Sequence, residues 1–138
     1  MKEALIVVID GLGGGIGKSI VEKLKTQLPC YKIVAVGTNS YASETMRKAG
    51  ADTVFNTEDD LIRYAHKADI IVSVMGVLIP GGLAGELTSE MVNAISSSKA
   101  IKVLIPMNKC GIRVATAEMP LNSHIDAAIN LIKNELSI

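Results

Sequence analysis

The sequence predicts an α/β fold: a doubly wound, mostly parallel, Rossmann-like sheet with strand order 3-2-1-4-5 and room for a short sixth strand. Three observations lead there. Strand-like and helix-like apolar patterns alternate strictly along the chain, which calls for crossover units and a parallel sheet. The first strand runs straight into a glycine-rich turn that opens a helix. The strand segments are near-continuous aliphatic runs in a chain that is 49% hydrophobic but carries only three Tyr, one Phe and no Trp. That composition suits strands covered on both faces. Crossovers are nearly always right-handed, and that rule leaves 3-2-1-4-5 as the expected order.

The elements follow in turn. Ala4–Ile9 is an apolar run and the first strand. Ile16, Ile20, Val21, Leu24 and Leu28 then fall on one helical face, and Pro29 stops that helix. Lys32–Val36 is the second strand, followed by Gly37-Thr38-Asn39-Ser40. Ala42–Ala49 reads as a short helix, with Gly50 as its C-terminal cap. Thr53–Phe55 is a brief third strand. In the helix Asp60–Lys67, Leu61, Ile62 and Ala65 point inward. Asp69–Met75 is a fourth strand, apolar apart from Ser73 and therefore central. Pro80–Glu86 is a glycine-rich loop. Leu87, Met91, Ala94 and Ile95 mark a helix that closes at Ser96–Ser98. Ile101–Ile105 is the fifth strand, ended by Pro106, and Ile112–Ala115 is the candidate sixth. Ser123 and Asp126 have the spacing of a capping box for the last helix, whose inner face is Ile125, Ala128, Ile129, Ile132 and Leu136.

Bulk properties narrow the function. The 138 residues are expected to form one domain, 1–138. Fourteen basic and fourteen acidic residues cancel, so there is no electrostatic footprint for nucleic acid or an anionic membrane. Cys30 and Cys110 are two thiols, too few for a disulfide framework and fitting for a reducing cytoplasm. Lys2 precedes a short apolar run, but Asp10 interrupts it and no small-residue cleavage site follows, so a signal peptide is not expected. Ile70–Leu83 is the longest apolar region, broken by Pro80, Gly81 and Gly82 and too short to span a bilayer. No metal site is expected, since His66 and His124 pair with no second ligand at useful spacing.

In such sheets ligands bind beyond the carboxyl ends of the strands, where the strand order reverses. Four segments meet there: Asp10–Gly17, Gly37–Ser40, Met75–Gly85 and Pro106–Gly111. In the first, five glycines fall within seven positions, a turn that can present backbone N–H groups at a helix N-terminus to an anion. Gly11, Gly13, Gly14, Gly15, Ile16, Gly17 and Lys18, with Asp10 before them, are the candidate phosphate seat. The bland alternative is that the glycines only let strand and helix pack closely. Where an acid would hold an adenosine ribose, the chain has Thr38, Asn39 and Ser40. Their small polar groups suit a 2′-phosphate, so NADP is favoured over NAD; equally, they can cap the next helix. Gly76 lies at the end of the fourth strand. Asn108, Lys109 and Cys110 put an amide, an amine and a thiol at the end of the fifth. They are the candidate catalytic groups, and turn chemistry around a half-buried cysteine is the plainer account.

Several resemblances attach to these residues. Gly11 to Gly17 has the G-x-x-x-G-I-G spacing of the short-chain dehydrogenase/reductase fingerprint, with Asp10 where that superfamily has Thr. Its catalytic Tyr-x-x-x-Lys is missing, because Ala35, Thr45 and Ala68 stand four residues after Tyr31, Tyr41 and Tyr64. Gly13–Ser19 resembles the glycine-rich loop of partition-type ATPases, and ATP is therefore the alternative nucleotide. Leu12 stands where the leading glycine of that loop belongs, and Gly13 where its signature lysine does. Ala68–Gly76 is locally similar to the cofactor-lining strand of methylene-tetrahydrofolate dehydrogenases. Ile9–Lys18, Gly37–Ser40, Ala49–Asp52 and Ile105–Cys110 together resemble a small bacterial family of uncharacterised single-domain Rossmann-like proteins. That resemblance spans nearly the whole chain and implies the fold without an activity.

The expected function is thus a nucleotide-binding sensor or accessory domain, comparable to the ligand-binding domains of potassium-transport regulators, with an NADP-like dinucleotide as ligand. The alternatives are a small enzyme using Lys109 and Cys110 on a phosphorylated metabolite, or an interaction domain with a degenerate site. Homo-oligomerisation through a sheet edge or the glycine-rich loop is expected.

Overall fold

The computed structural model describes residues 3–138; Met1 and Lys2, and with them the leader reading of Lys2, lie outside the described residues. Five strands form one parallel sheet: β1 (Ile6–Asp10), β2 (Ile33–Gly37), β3 (Thr53–Phe55), β4 (Ile70–Val74) and β5 (Ile101–Ile105). The helices are α1 (Gly15–Gln27), α2 (Ser40–Lys48), α3 (Glu58–Lys67), α4 (Ser89–Ser97) and α5 (Leu121–Glu135), with a short 3-10 turn at Met75–Leu78. The strand order is β3-β2-β1-β4-β5 and every pairing is parallel, as the alternation of periods predicts.

β1, β2 and β4 are buried along their whole length. Their aliphatic side chains contribute roughly 1.5–3 kcal/mol each on burial. Ser73, the one polar residue within β4, donates its hydroxyl to the Ile9 carbonyl at 2.6 Å, so it costs the core no unpaired group. Asp10 pairs with Gly37 across β1 and β2. That register sets the β1 turn and the Thr38–Ser40 turn side by side at the carboxyl edge of the sheet.

Local chemistry fixes most helix ends. Asn39, Thr57 and Thr88 cap α2, α3 and α4, each accepting a first-turn N–H with its side chain. The Thr38–Ser40 turn therefore does serve as a cap, through Asn39. At the end of α2, Gly50 adopts φ +113°; its N–H reaches the Arg47 carbonyl and that of Ala51 reaches Met46, a Schellman closure.

Two expectations fail. Ile112–Ala115 forms no strand among the described residues. The N–H of Ile112 goes to the Lys109 carbonyl and that of Val114 to Asn108 Oδ1, so local turns take the groups a ladder would need. The expected capping box at Ser123 and Asp126 is also absent. The helix cap falls three residues earlier, at Pro120, because Pro120 presets the entry backbone and its carbonyl accepts from Ser123 and His124. Asp126 instead pairs with Lys23 of α1. The expected inner face of α5 is buried as read.

Candidate functional site

The turn after β1 is built by glycines that do two different jobs. Gly14 sits at the N-cap of α1 with φ +74°, and a Cβ there would lie 2.9 Å from the Ala42 backbone. A Cβ on Gly17 would meet Met46 Sδ at 2.6 Å and Asp10 Cβ at 2.8 Å. A Cβ on Gly11 would collide with Thr38 Oγ1 and meet Glu86 Oε1 at 2.5 Å. These three serve close approach. Gly13 and Gly15 are exposed, and a Cβ on Gly15 would meet nothing within 4 Å. Packing accounts for three of the five glycines and leaves two over.

The backbone N–H groups of the turn are shared out unevenly. Asp10 is buried, with Oδ1 accepting from Gly11 at 2.8 Å and Oδ2 accepting from Gly17 at 2.7 Å. A side chain from β1 thus caps the first turn of α1. Burial pushes the Asp10 carboxyl above the ordinary carboxylate range, against the pull of the Gly17 and Gly11 N–H groups, and the Glu86 charge adds to the rise. Gly14 donates to the Gly11 carbonyl at 2.9 Å. The N–H groups of Gly15 and Ile16, in the first turn, have no intrahelical acceptor. With Gly13, they have no hydrogen-bond partner among the described residues. Lys18 is exposed one position beyond Gly17.

Glu86 is the group that reading the sequence missed. It comes from the loop between β4 and α4 and reaches across the cleft. Oε1 accepts the Leu12 N–H at 2.8 Å and the Thr38 hydroxyl at 2.6 Å; Oε2 accepts from Asn39 Nδ2 at 2.9 Å. Burial works to raise the Glu86 carboxyl, but these three donors outweigh it and hold it below the usual range. Asn39 Nδ2 also donates to the Leu12 carbonyl at 3.0 Å, while its Oδ1 accepts from Ala42 at 2.7 Å. Ser40 is exposed and begins α2. The one sequence signal for Glu86 is that no other charged residue lies between Asp69 and Glu90.

The rest of that loop lies in the crevice. A Cβ built on Gly11 would sit 3.0 Å from Leu83 Cδ1, and one on Gly76 would sit 3.6 Å from Leu83 Cδ2. Leu83 therefore bridges the ends of β1 and β4, where the strand order reverses. What remains of the crevice is a cavity of about 170 Å³ lined by Leu12, Gly76, Leu83, Met107, Lys109 and Cys110, among others. Leu12, Leu83, Ala84 and Cys110 all line it, and all four hold φ between 52° and 55°, a left-handed conformation that costs non-glycine residues energy. Lys109 and Cys110 thus do reach the site, and both are exposed. Asn108 lies to the side: its Oδ1 braces Val114, and it lines a larger hollow of about 520 Å³ with His124 and Glu118. Among the described residues, no group of three His, Cys, Asp or Glu is placed to hold a metal ion, and no helix is long and apolar enough to cross a membrane.

Solved structures share this architecture. AibC superposes with a TM-score of 0.54 at 18% identity, covering 97% of this chain and 43% of that one. A putative alcohol dehydrogenase from Thermotoga maritima gives 0.52 at 14% identity over 96% and 37%. The L-idonate 5-dehydrogenase of Escherichia coli gives 0.51 at 20% identity over 96% and 40%. The chain spans about two fifths of the length of these structures, and at such identities the likeness is one of fold. No curated protein matches the sequence. A family model described as "Domain of unknown function (DUF3842)" matches residues 5–137. The chain belongs to that family, whose members share a domain of unknown function, DUF3842.

Proposed function

We propose that this chain is a nucleotide-binding sensor or accessory domain whose ligand is an NADP-like dinucleotide. The observation that carries this reading is the set of N–H groups on Gly13, Gly15 and Ile16, which no group of the described chain accepts, at the N-terminus of a 13-residue helix. The helix dipole and convergent amides favour an anion at that point. A pyrophosphate on these amides places the adenosine end toward Thr38–Ser40 and the other end toward Gly76 and the tip of β5. Asp10 does not compete for the three open amides, because its two hydrogen bonds go to Gly11 and Gly17 on the inner side of the turn. A sensor role fits the loop in the crevice, since ligand and loop cannot both fill the space beside Gly11 and Gly76.

The test is thermal unfolding of the full chain with NADPH, NADH, ATP and AMP in turn. A site saturated a hundredfold adds about 2.7 kcal/mol of stability. NADPH is expected to give the largest shift; ATP in first place would favour the triphosphate alternative, and silence across the panel would overturn the reading.

A second reading has its own observation. Lys109 and Cys110 line the 170 Å³ cavity, a space below the usual range for drug-sized ligands, and put an amine and a thiol at the edge of its otherwise apolar wall. On that reading the chain is an enzyme acting on a small phosphorylated metabolite, with Lys109 holding the phosphate and Cys110 as nucleophile.

A further inference from the structure

The three groups that hold Glu86 are all donors: a backbone N–H from the β1 turn, a hydroxyl and an amide NH₂ from the β2 turn. They converge from two elements on one carboxylate that arrives from a third. A cradle made only of donors is complementary to an anion, whichever anion fills it. We propose that Leu12 N–H, Thr38 Oγ1 and Asn39 Nδ2 form a subsite for a phosphate monoester, and that Glu86 is its built-in competitor, an internal anion that a ligand must expel. The proposal rests on the dinucleotide reading above for the identity of the ligand, a ribose 2′-phosphate, and on this geometry for the rest.

The segment that carries Glu86 is a self-closed turn, seated on the core through buried Leu87 and the Gly82 backbone beside Gly76. Gly81 N–H donates to Leu87, Gly82 to Ile79, Gly85 to Gly81 and Leu87 to Gly82, so its backbone is satisfied within itself. Gly81, Leu83, Ala84 and Gly85 hold φ between 53° and 88°. Two of these are non-glycine residues, so the shape is held at a cost. Its side-chain holds on the glycine turn are the three hydrogen bonds of Glu86 and the contact of Leu83 beside Gly11. Releasing Glu86 frees the plug, with Leu83 leaving the crevice at the same time. Out of the crevice, its strained turns lose the contacts that hold them, and their internal hydrogen bonds open more often. Binding and plug release are then one equilibrium, and apparent affinity is the intrinsic affinity reduced by the fraction of open molecules.

The test compares the full-length wild type with Glu86→Ala and Glu86→Gln, titrated with NADPH, NADH and inorganic phosphate. Removing the competitor is expected to tighten NADPH and NADH alike by on the order of tenfold, the scale of one charge-assisted hydrogen bond, because each must displace the same plug. Inorganic phosphate is expected to stabilise the variants more than the wild type, in which only the open amides of Gly13, Gly15 and Ile16 can take it. Hydrogen exchange on the wild type supplies a readout that needs no substitution: saturating NADPH should speed exchange across Gly81–Leu87. If neither dinucleotide tightens in the variants, or exchange there slows or holds, the competitor proposal falls while dinucleotide binding stands. If neither dinucleotide binds any form but phosphate stabilises the variants more than the wild type, the cradle stands and the dinucleotide reading falls. If phosphate is also silent, both fall. If neither variant folds, the wild-type exchange result alone decides.

Discussion

The Asp10 carboxylate accepts the Gly17 N–H at 2.7 Å, tying the last residue of β1 to the first turn of α1. The bond divides the glycine turn into an inner side, satisfied by the protein's own acid, and an outer side whose N–H groups remain open. Leu12 N–H is taken by Glu86, so the amides of the turn left open to an anion from outside the chain are those of Gly13, Gly15 and Ile16.

Asp10→Asn leaves one acceptor for two buried N–H groups. We expect a loss of about 1–2 kcal/mol, the range for a lost helix cap or an orphaned buried donor. Because burial raises the Asp10 pKa in the folded state, the wild type gains stability from this group as pH falls through the raised value toward the ordinary 3.8. Glu86, the charged group coupled to it, is present in both proteins. Denaturant titrations across pH should therefore show the cost of the substitution growing on acidification; a cost that shrinks would contradict this account.

Glu86→Gln tests the opposite sign. Its carboxyl is held low, so its contribution is present above the ordinary 4.5 and lost as pH falls through the lower folded value. At neutral pH the variant should be less stable by about 1 kcal/mol, a figure kept small by solvent screening of a half-exposed group. The difference should close in acid. The same denaturation series reads it.

Gly17→Ala and Gly15→Ala separate the packing glycines from the ligand glycines. The first drives a methyl against Met46 and Asp10 and should cost about 1–3 kcal/mol. The second enters open space, should leave stability unchanged or raise it by about 0.4–1 kcal/mol, and should weaken NADPH binding by crowding the open amides. Thermal melts with and without NADPH measure both effects.

Cys110→Ser keeps the size of the side chain and removes the nucleophile. On the sensor reading, nucleotide affinity is unchanged and there is no turnover to lose. A turnover that disappears with this substitution, while binding persists, would move the assignment to the enzyme reading.

The sheet was legible because apolar period and strand burial are the same physics. Five strands and five helices stand where the pattern put them, with ends shifted by up to three residues. The failures have local causes. Pro120 started α5 ahead of Ser123, and Asn108 took the Val114 N–H that a sixth strand would have used. At the site, the sequence marked the glycine turn but did not distinguish Gly14 and Gly17, which pack, from Gly15, which does not. Glu86 was beyond reach for a different reason. Its partners Leu12, Thr38 and Asn39 lie 74, 48 and 47 residues away, and the loop that delivers it takes its shape partly from Leu83 and Ala84, residues that carry no left-handed signal of their own.

The most direct measurement follows the amide resonances of the glycine turn while NADPH is added to ¹⁵N-labelled protein. Saturable shifts are expected at Gly13, Gly15 and Ile16, with Gly17, held by Asp10, moving less. Saturable binding that leaves those three amides where they were, or no saturable shift anywhere in the chain, would contradict it.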